Sequence, residues 1–190
     1  MHMQMTERQE PEDPNFEILF DEEQIRERVQ EIADEVSKDY ENNPDTPLVL
    51  IGVLKGATPF FIDLFRHVKH PNLMMDFVGT SSYGEKEESS RDPQITHTNS
   101  INIEGKNVVI VEDIVDTANS MYKLINELLL PQRPKSLKLC SFLSKPSRRE
   151  ADVPIDYLGF EIDNIFVLGY GLDSNEKGRN WPYIAYKKEV

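Results

Sequence analysis

The sequence predicts an α/β fold with a doubly wound parallel sheet, and three observations support this prediction. Short apolar, β-branched runs such as residues 108–111 lack polar alternation, which is typical of strands buried on both faces. Elsewhere, apolar residues recur at helical spacing. At residues 107–129 a strand, a polar turn and a helix follow one another directly, as in the repeating unit of such a sheet. Ligands of these folds bind beyond the carboxyl ends of the strands.

The composition fits one domain and disfavours nucleic-acid and membrane functions. The chain has 190 residues, enough for one sizeable core, and 38% of them are hydrophobic. Its formal net charge of -13 would repel a phosphate backbone. The same charge fits a salt-rich or a merely acidic cytoplasm equally well. No apolar run is as long as a membrane span and no signal peptide opens the chain, so we expect a cytoplasmic protein.

The single cysteine and the four histidines give little support for thiol or zinc chemistry. Cys140 excludes an internal disulfide and lies in an apolar run, which favours a buried, inert thiol. The histidines lack ligand spacing to one another or to the cysteine. The sequence therefore predicts neither a cysteine nucleophile nor a zinc site.

The N-terminal region predicts a short polar segment and then an amphipathic helix. Residues 1–15 are polar, acidic and contain proline, so we expect them to be disordered. Asp21 and Gln24 have the spacing of a capping box. The apolar stripe that follows them predicts a helix running to about Tyr40.

The next segment predicts a buried strand and a second helix around Lys55. The strand covers residues 48–53, and Pro59 lies at the first position of the following helix. Lys55 and Gly56 therefore stand at the carboxyl end of a strand, where a ligand could reach them. An ordinary surface lysine is the competing interpretation.

A long polar stretch follows the third predicted strand, at residues 73–78. Residues 85–99 contain almost no apolar side chain, which indicates either disorder or a lid over a site. Composition alone favours disorder.

Three carboxylates and three side-chain donors follow the strand at residues 108–111: Glu112, Asp113, Asp116, Thr117, Asn119 and Ser120. Small residues at the start of a helix leave backbone N–H groups for an anion, so a phosphate monoester suits the donors. Adjacent carboxylates accept but do not donate, which suits the paired hydroxyls of a ribose. The pattern predicts a ribose 5-phosphate site. A solvated strand end with an ordinary helix cap is the alternative.

The C-terminal third predicts further strands at residues 136–143, 157–162 and 166–170. A basic cluster follows the first of them. Lys145 comes directly after that strand, whereas Arg148 and Arg149 fit a solvated loop or a subunit contact.

Residues 111–120 resemble the phosphoribosyl-diphosphate (PRPP) binding motif of type I phosphoribosyltransferases. The resemblance runs from about residue 48 to residue 183, and the flanking motifs are similar to the hypoxanthine-guanine branch of that family. Ala118 stands where the family has glycine, and Ser120 where it has threonine. Ser120 keeps the hydroxyl. Ala118 adds a methyl group where a close approach or a positive φ would favour glycine, so we expect a reshaped loop or a more weakly held phosphate.

The resemblance implies a type I phosphoribosyltransferase fold with a small hood lobe. It implies one domain over residues 16–190, with a core at about 45–150. The hood would comprise the N-terminal segment and residues from about 151 to 190. The polar stretch at about 80–100 would be a mobile lid over the site.

The resemblance also implies roles for individual residues. The ribose and 5-phosphate ligands would be Glu112, Asp113, Thr117, Ala118, Asn119 and Ser120. The diphosphate ligands would be Lys55, Gly56, Ser82, Tyr83 and Arg179, with a cis peptide before the lysine. The purine ligands would be Lys145, Phe166, Val167 and Asp173. Magnesium would be held by Glu112, Asp113 and Asp173. Asp116 would be the catalytic acid/base at purine N7.

The implied activity is purine salvage: transfer of ribose 5-phosphate from PRPP to N9 of hypoxanthine or guanine, giving IMP or GMP and diphosphate. The implied cofactor is Mg²⁺, and the implied assembly is a homodimer or homotetramer. Two alternatives stay open, a xanthine-preferring enzyme and a non-catalytic sensor of PRPP or nucleotides on the same fold. A P-loop nucleotide hydrolase has little support because its glycine-rich lysine motif is absent from the sequence.

Overall fold

The structure is a computed structural model that describes residues 11–81 and 94–188. Within these residues two sheets are present, a mostly parallel sheet in the centre and a smaller antiparallel one. In chain order the strands are β1 Phe16–Phe20, β2 Leu48–Leu54, β3 Leu73–Ser81, β4 Gln94–His97, β5 Asn107–Val115, β6 Ser136–Ser144, β7 Tyr157–Glu161, β8 Val167–Leu168 and β9 Ile184–Lys187.

The central sheet has the strand order β4-β3-β2-β5-β6-β7. All neighbours are parallel except β3 and β4, which pair antiparallel at one edge. The chain passes from β2 outward to β3, then back to β5 on the other side of β2. The carboxyl ends of β2 and β5 are therefore adjacent at the point where the order of strands reverses, which is where open α/β sheets bind ligands.

Three α-helices accompany this sheet in the described part of the chain. They are α1 Glu22–Tyr40, α2 Thr58–His67 and α3 Asn119–Lys123, and α3 continues as a π-helix over Leu124–Leu129. The predicted capping box at the start of α1 is confirmed: Gln24 N donates to Asp21 Oδ1 at 2.8 Å, and Asp21 N donates to Gln24 Oε1 at 3.0 Å.

The two faces of the sheet carry separate cores, which confirms the doubly wound arrangement. On one face, Leu50 and Val109 pack with the apolar residues of α1 and α2. On the other face, Val49 and Val108 pack with the α3 segment. Because successive side chains of a strand point to opposite faces, β2 and β5 supply both cores and have no room for polar alternation.

The smaller sheet has the order β1-β9-β8 and is formed by the two segments that were expected to make up the hood. Its apolar side packs Phe16, Trp181 and Tyr183 together. The N-terminal segment is tied to this cluster, since Trp181 Nε1 donates to Glu12 Oε2 at 2.9 Å and Glu12 N donates to Tyr183 Oη at 2.7 Å. The expected disorder up to residue 15 therefore does not hold for residues 11–15.

Three further expectations change at element boundaries. The central strand does not stop at residue 111 but continues to Val115, because its pairing with β6 extends that far. Residues 94–97, expected to be lid or disorder, form the edge strand β4. The strand β7 extends the central sheet, although we expected the core to end near residue 150. Among the helices of the described residues, none is long and apolar enough to cross a membrane.

Candidate active site

A cavity of about 1080 Å³ opens at the carboxyl edge of the central sheet. It lies where β2 and β5 end, and residues of the segment between β8 and β9 close one side of it. Its size is typical of a site for a small molecule or cofactor. The expected site residues that line it are Lys55, Gly56, Glu112, Asp113, Asp116, Thr117, Ala118, Ser120, Phe166, Asp173 and Arg179.

The loop after β2 brings Lys55 to the cavity and packs tightly against its surroundings. The peptide bond between Leu54 and Lys55 is cis, as the resemblance implies. A β-carbon built on Gly56 would overlap the Asp113 carboxylate, and one built on Gly171 would overlap the Gly56 carbonyl oxygen. Only glycine fits at these two positions, because three segments meet there without space for a side chain.

Glu112 and Asp113 lie within the end of β5 rather than in a turn after it. The Asp113 N–H donates to Glu112 Oε1 at 2.9 Å, and the Ile114 N–H donates to Asp113 Oδ1 at 2.8 Å. Burial, and next the charge of Asp113, raises the pKa of Glu112 well above its ordinary value. The site thus holds a buried carboxylate, Glu112, beside the half-buried Asp113, without a compensating cation in the described contacts, and hydroxyl donors of a ligand would relieve it.

The segment from residue 117 to 120, here called the phosphate loop, follows directly. Ala118 has φ of 69°, so the backbone adopts the left-handed conformation that glycine favours. The side chain of Asn119 does not line the cavity; its amide Nδ2 donates to Glu150 Oε2 at 2.7 Å. Of the three predicted side-chain donors, Thr117 and Ser120 therefore face the cavity and Asn119 braces the loop from outside.

Asp116 lies between the carboxylate pair and the phosphate loop, and cations from the segment after β6 surround it. Arg148 Nε donates to Asp116 Oδ1 at 2.9 Å, and Lys145 Nζ lies 3.9 Å from Asp116 Oδ2. Arg149 Nη1 donates to the Asp116 carbonyl oxygen at 3.2 Å. Arg148 is 41% exposed, as expected of a solvated loop, but both arginines also contact Asp116, which was not expected.

Lys145 is buried, with a side chain that is only 10% exposed. Burial lowers the pKa of its ammonium group, the nearby Asp116 carboxylate opposes that shift, and Arg148 adds to it. Lys145 does not itself line the cavity, and it approaches the site behind Asp116. Its position is set by the backbone, because the Lys145 N–H donates to the Val115 carbonyl at the end of β5 at 3.1 Å.

Four charged side chains form what we call the cationic end: Lys55, Asp173, Glu176 and Arg179. Arg179 Nη2 lies 2.9 Å from Asp173 Oδ1 and 3.3 Å from Glu176 Oε2. Lys55 Nζ lies 3.2 Å from Glu176 Oε1. Hydrogen bonds from Lys55 and then Arg179 lower the pKa of Glu176. Glu176 was not expected at the site, and nothing in its local sequence distinguishes it from a surface turn residue.

The other expected residues differ in whether they line the cavity. Phe166 lines the cavity and is 49% exposed, as expected of an aromatic platform rather than a core residue. Val167 is buried in β8 and does not line the cavity. Ser82 and Tyr83 lie outside the described residues, as does most of the expected lid. Thr96 and His97 of β4 also line the cavity, and their polar surroundings in the sequence contained no signal for this.

The three expected magnesium ligands do not form a self-sufficient metal cage. Within the described residues, no three acidic, histidine or cysteine side chains are placed to hold a metal ion together. Glu112 and Asp113 are adjacent, whereas the Asp173 carboxylate is engaged by Arg179 and by the Glu176 N–H. This set fits Mg²⁺, which binds proteins through one or two carboxylates and takes its other ligands from water and substrate phosphates.

The family model for the phosphoribosyl transferase domain matches residues 16–175. The chain belongs to this family. It is 42% identical to the hypoxanthine-guanine phosphoribosyltransferase of Bacillus subtilis over 171 residues, which cover 90% of this chain and 92% of the relative. It is 40% identical to the hypoxanthine phosphoribosyltransferase of Salmonella typhimurium over 169 residues, 89% of this chain and 93% of the relative.

Solved structures of the family share the fold over nearly the whole chain. A crystal structure of a hypoxanthine-guanine phosphoribosyltransferase from Bacillus anthracis matches with a TM-score of 0.83 and 40% identity, covering 90% of this chain and 98% of that one. The hypoxanthine phosphoribosyl transferase of Trypanosoma cruzi matches with a TM-score of 0.85 and 38% identity, covering 94% and 95%. The predicted fold class and family are confirmed.

Proposed function

We propose that this protein is a purine-salvage phosphoribosyltransferase that transfers ribose 5-phosphate from PRPP to N9 of hypoxanthine or guanine. The products would be IMP or GMP and diphosphate. One observation carries the proposal: a single cavity places a carboxylate pair between a loop of hydroxyls and two cations. A sugar diol with a phosphate group on either side matches that order of donors and acceptors.

The phosphate loop and the carboxylate pair would bind the ribose 5-phosphate half. Glu112 and Asp113 accept hydrogen bonds from the ribose hydroxyls, which offsets the cost of burying the Glu112 charge. Thr117 and Ser120 donate to the 5-phosphate, and the backbone at Ala118 approaches it. Asn119 contributes through its backbone, since its side chain is held by Glu150.

The cationic end would bind the diphosphate through Lys55 and Arg179, with the backbone of Gly56 beside it. Mg²⁺ would be held by Glu112, Asp113 and Asp173 together with substrate oxygens, and when bound it neutralises charge on the diphosphate. The lid residues Ser82 and Tyr83 are proposed to close over this end and exclude water from the reacting sugar. They lie outside the described residues.

The purine would lie between Phe166, which stacks on the ring, and the segment after β6. Lys145 donates to the 6-oxo group, so adenine, whose 6-amino group cannot accept, is rejected. The backbone of Val167 meets the base, and Asp173 lies near its 2-position. Asp116 is the catalytic acid/base at N7.

The proposed reaction is a displacement at C1 of the ribose. The bond from C1 to the diphosphate oxygen breaks, and its electron pair leaves with diphosphate. The N9 lone pair of the purine forms the new C1–N9 bond. The proton that the purine loses from N7 passes to Asp116, which the adjacent Arg148 and Lys145 hold in place.

A homodimer or homotetramer is proposed because the resemblance implies one; in the Trypanosoma cruzi relative, the C-terminal region has a role in the oligomeric state of that protein. A cytoplasmic location is proposed from the substrates, which are intracellular metabolites.

The alternatives are less well supported. The relatives are named for hypoxanthine or hypoxanthine and guanine, which favours those bases over xanthine. A non-catalytic sensor of PRPP would not need Asp116 held by Arg148 beside the base site, so the arrangement favours an enzyme.

The test is diphosphate release from PRPP and Mg²⁺, measured with hypoxanthine, guanine, xanthine, adenine and uracil in parallel. We expect turnover with hypoxanthine or guanine and none with adenine or uracil. Preferential turnover of xanthine would select the first alternative. PRPP binding without turnover of any base would select the sensor.

A further inference from the structure

Glu176 occupies the space between the two cations that the proposed function assigns to diphosphate. One carboxylate oxygen lies 3.2 Å from Lys55 Nζ and the other lies 3.3 Å from Arg179 Nη2. Lys55 and Glu176 are 121 positions apart in the chain, so this bridge joins the loop after β2 to the segment between β8 and β9. The Glu176 carboxylate thus bridges the two side chains to which the proposed function assigns the diphosphate.

The backbone at Glu176 has a conformation that does not favour its side chain. Ser174 and Lys177 exchange both backbone hydrogen bonds at 3.1 Å, which closes a tight turn over Asn175 and Glu176. Both central residues have positive φ, 52° and 63°. Glycine is strongly preferred at the second position of such a turn. A glutamate there is unfavourable for the turn, and its carboxylate is what reaches the two cations.

The Arg179 guanidinium and the backbone of Lys55 keep their places by contacts that do not involve Glu176. Arg179 Nη1 donates to the Gly171 carbonyl at 2.8 Å, and Arg179 Nη2 lies 2.9 Å from Asp173 Oδ1. The Lys55 carbonyl accepts hydrogen bonds from Thr58 N at 3.1 Å and from Thr58 Oγ1 at 2.7 Å. Loss of the Glu176 charge would therefore leave the Arg179 guanidinium and the backbone of Lys55 in position, and the Lys55 ammonium free to meet a ligand.

We propose that the Glu176 carboxylate occupies the diphosphate position between Lys55 and Arg179, so that PRPP binds by displacing this carboxylate. The inference rests on the proposed function, which assigns the diphosphate to these cations. PRPP must separate two ion pairs and then tolerate a displaced carboxylate nearby. Glu176 thereby sets a lower affinity for PRPP and for product diphosphate than the same cations would give alone.

The test uses Glu176→Gln, which keeps the shape, and Glu176→Gly, which keeps the turn. The matched control is Glu104→Gln, because Glu104 forms an exposed ion pair with Arg133 at 2.7 Å before β5, at the opposite edge of the sheet. Steady-state kinetics give KM for PRPP and for hypoxanthine, and calorimetry gives the dissociation constant of diphosphate with Mg²⁺. Thermal unfolding verifies that each variant is folded.

For both Glu176 variants we expect KM for PRPP and the diphosphate dissociation constant to fall roughly twofold to fivefold, the upper part of the range of exposed charge pairs. KM for hypoxanthine and all constants of the control should stay unchanged. Unchanged or weaker diphosphate binding in folded Glu176→Gln and Glu176→Gly, with a fully active wild type, would overturn this inference alone. A wild type that neither binds diphosphate nor turns over would overturn the proposed function and this inference with it.

Discussion

The phosphate loop and the cationic end of the cavity are built in different ways. The phosphate loop is one run of four residues, 117–120, that offers hydroxyls and backbone to a ligand. The cationic end combines Lys55 with Arg179 from a distant segment, and carboxylates already pair with both cations. A phosphate group of PRPP would therefore bind at the phosphate loop without displacing another anion. At the cationic end it would have to displace the Glu176 carboxylate.

This difference separates the binding of PRPP from the chemistry between the two ends. The affinity for PRPP should depend on both the phosphate loop and the cationic end. The cationic end limits this affinity, because the ion pairs of Lys55 and Arg179 must first separate. Asp116 lies between the ends and is held by neither of them, since its partners Arg148 and Lys145 come from the segment after β6. Substitutions at the ends should change KM, whereas substitution between them should change kcat.

The largest effect is expected at Asp116. Asp116→Asn keeps the shape but removes the group that exchanges a proton with N7, so kcat should fall by about 10²–10⁴-fold. KM for PRPP should stay close to that of the wild type, because neither end is altered. Steady-state kinetics with hypoxanthine measure both constants, and the exposed Asp152→Asn is the control. A normal kcat with a raised KM would assign Asp116 to binding instead.

The next effect is expected at the cationic end. The new β-carbon in Gly56→Ala would overlap the Asp113 carboxylate, so the loop that carries Lys55 must shift. Overpacking of this kind costs about 1–3 kcal/mol, and we expect KM for PRPP to rise by about 10–100-fold.

Gly105→Ala is the matched control for that substitution. Gly105 lies in the turn before β5 and has φ of 70°, but a β-carbon there would meet nothing within 4 Å. Its variant should lose some stability and keep its KM. Equal KM values for the Gly56 variant and the wild type would show that the close approach to Asp113 does not matter for binding.

The third effect is expected at Glu112, where a substitution should stabilise the protein and at the same time weaken binding. Burial and the Asp113 charge raise the pKa of folded Glu112 above that of the unfolded chain. The folded state therefore loses stability as the pH rises through the interval between the unfolded and the folded pKa of Glu112. Above this interval the loss of stability is complete. At pH values above the interval, Glu112→Gln should raise the free energy of unfolding by about 1 kcal/mol while weakening ribose binding.

Urea unfolding at several pH values measures this effect. The advantage of the Gln variant should shrink as the pH falls toward the ordinary pKa of a glutamate. A variant that is less stable than the wild type above the interval would mean that the buried carboxylate is favourably solvated in the folded protein.

The smallest effect is expected in the phosphate loop. Ala118 has a left-handed backbone, and Ala118→Gly removes that unfavourable conformation, partly offset by the greater freedom of the unfolded chain. We expect the free energy of unfolding to rise by about 0.5 kcal/mol. The same substitution at Ala33, in the buried face of α1, should instead destabilise the protein. Destabilisation at both positions would contradict the account of the loop.

The parts of the site that the sequence predicted are those formed by consecutive residues at the ends of strands. Residues 112–120 follow one another, so their types alone indicated carboxylates beside donors. Glu176 and Arg148 could not be predicted in the same way, because each acts through a partner far away in the chain. Asn119 illustrates the same limit: its side chain turns to Glu150, which only the path of the chain after β6 brings near.

The fold shows a similar division. The buried strands β2 and β5 were predicted because apolar runs are required in the middle of a doubly covered sheet. The edge strand β4 is polar and pairs on one side only, so its sequence resembles a loop. The hood strands β1 and β9 pair across almost the whole chain, and no local pattern predicts such a partner.

A crystal structure with IMP, diphosphate and Mg²⁺ bound would test the account most directly. We predict the 5-phosphate at the phosphate loop, the ribose hydroxyls on Glu112 and Asp113, and diphosphate between Lys55 and Arg179 with the Glu176 carboxylate displaced. A 5-phosphate between Lys55 and Arg179, or diphosphate bound elsewhere while Glu176 still bridges those cations, would contradict the assignment of the two ends.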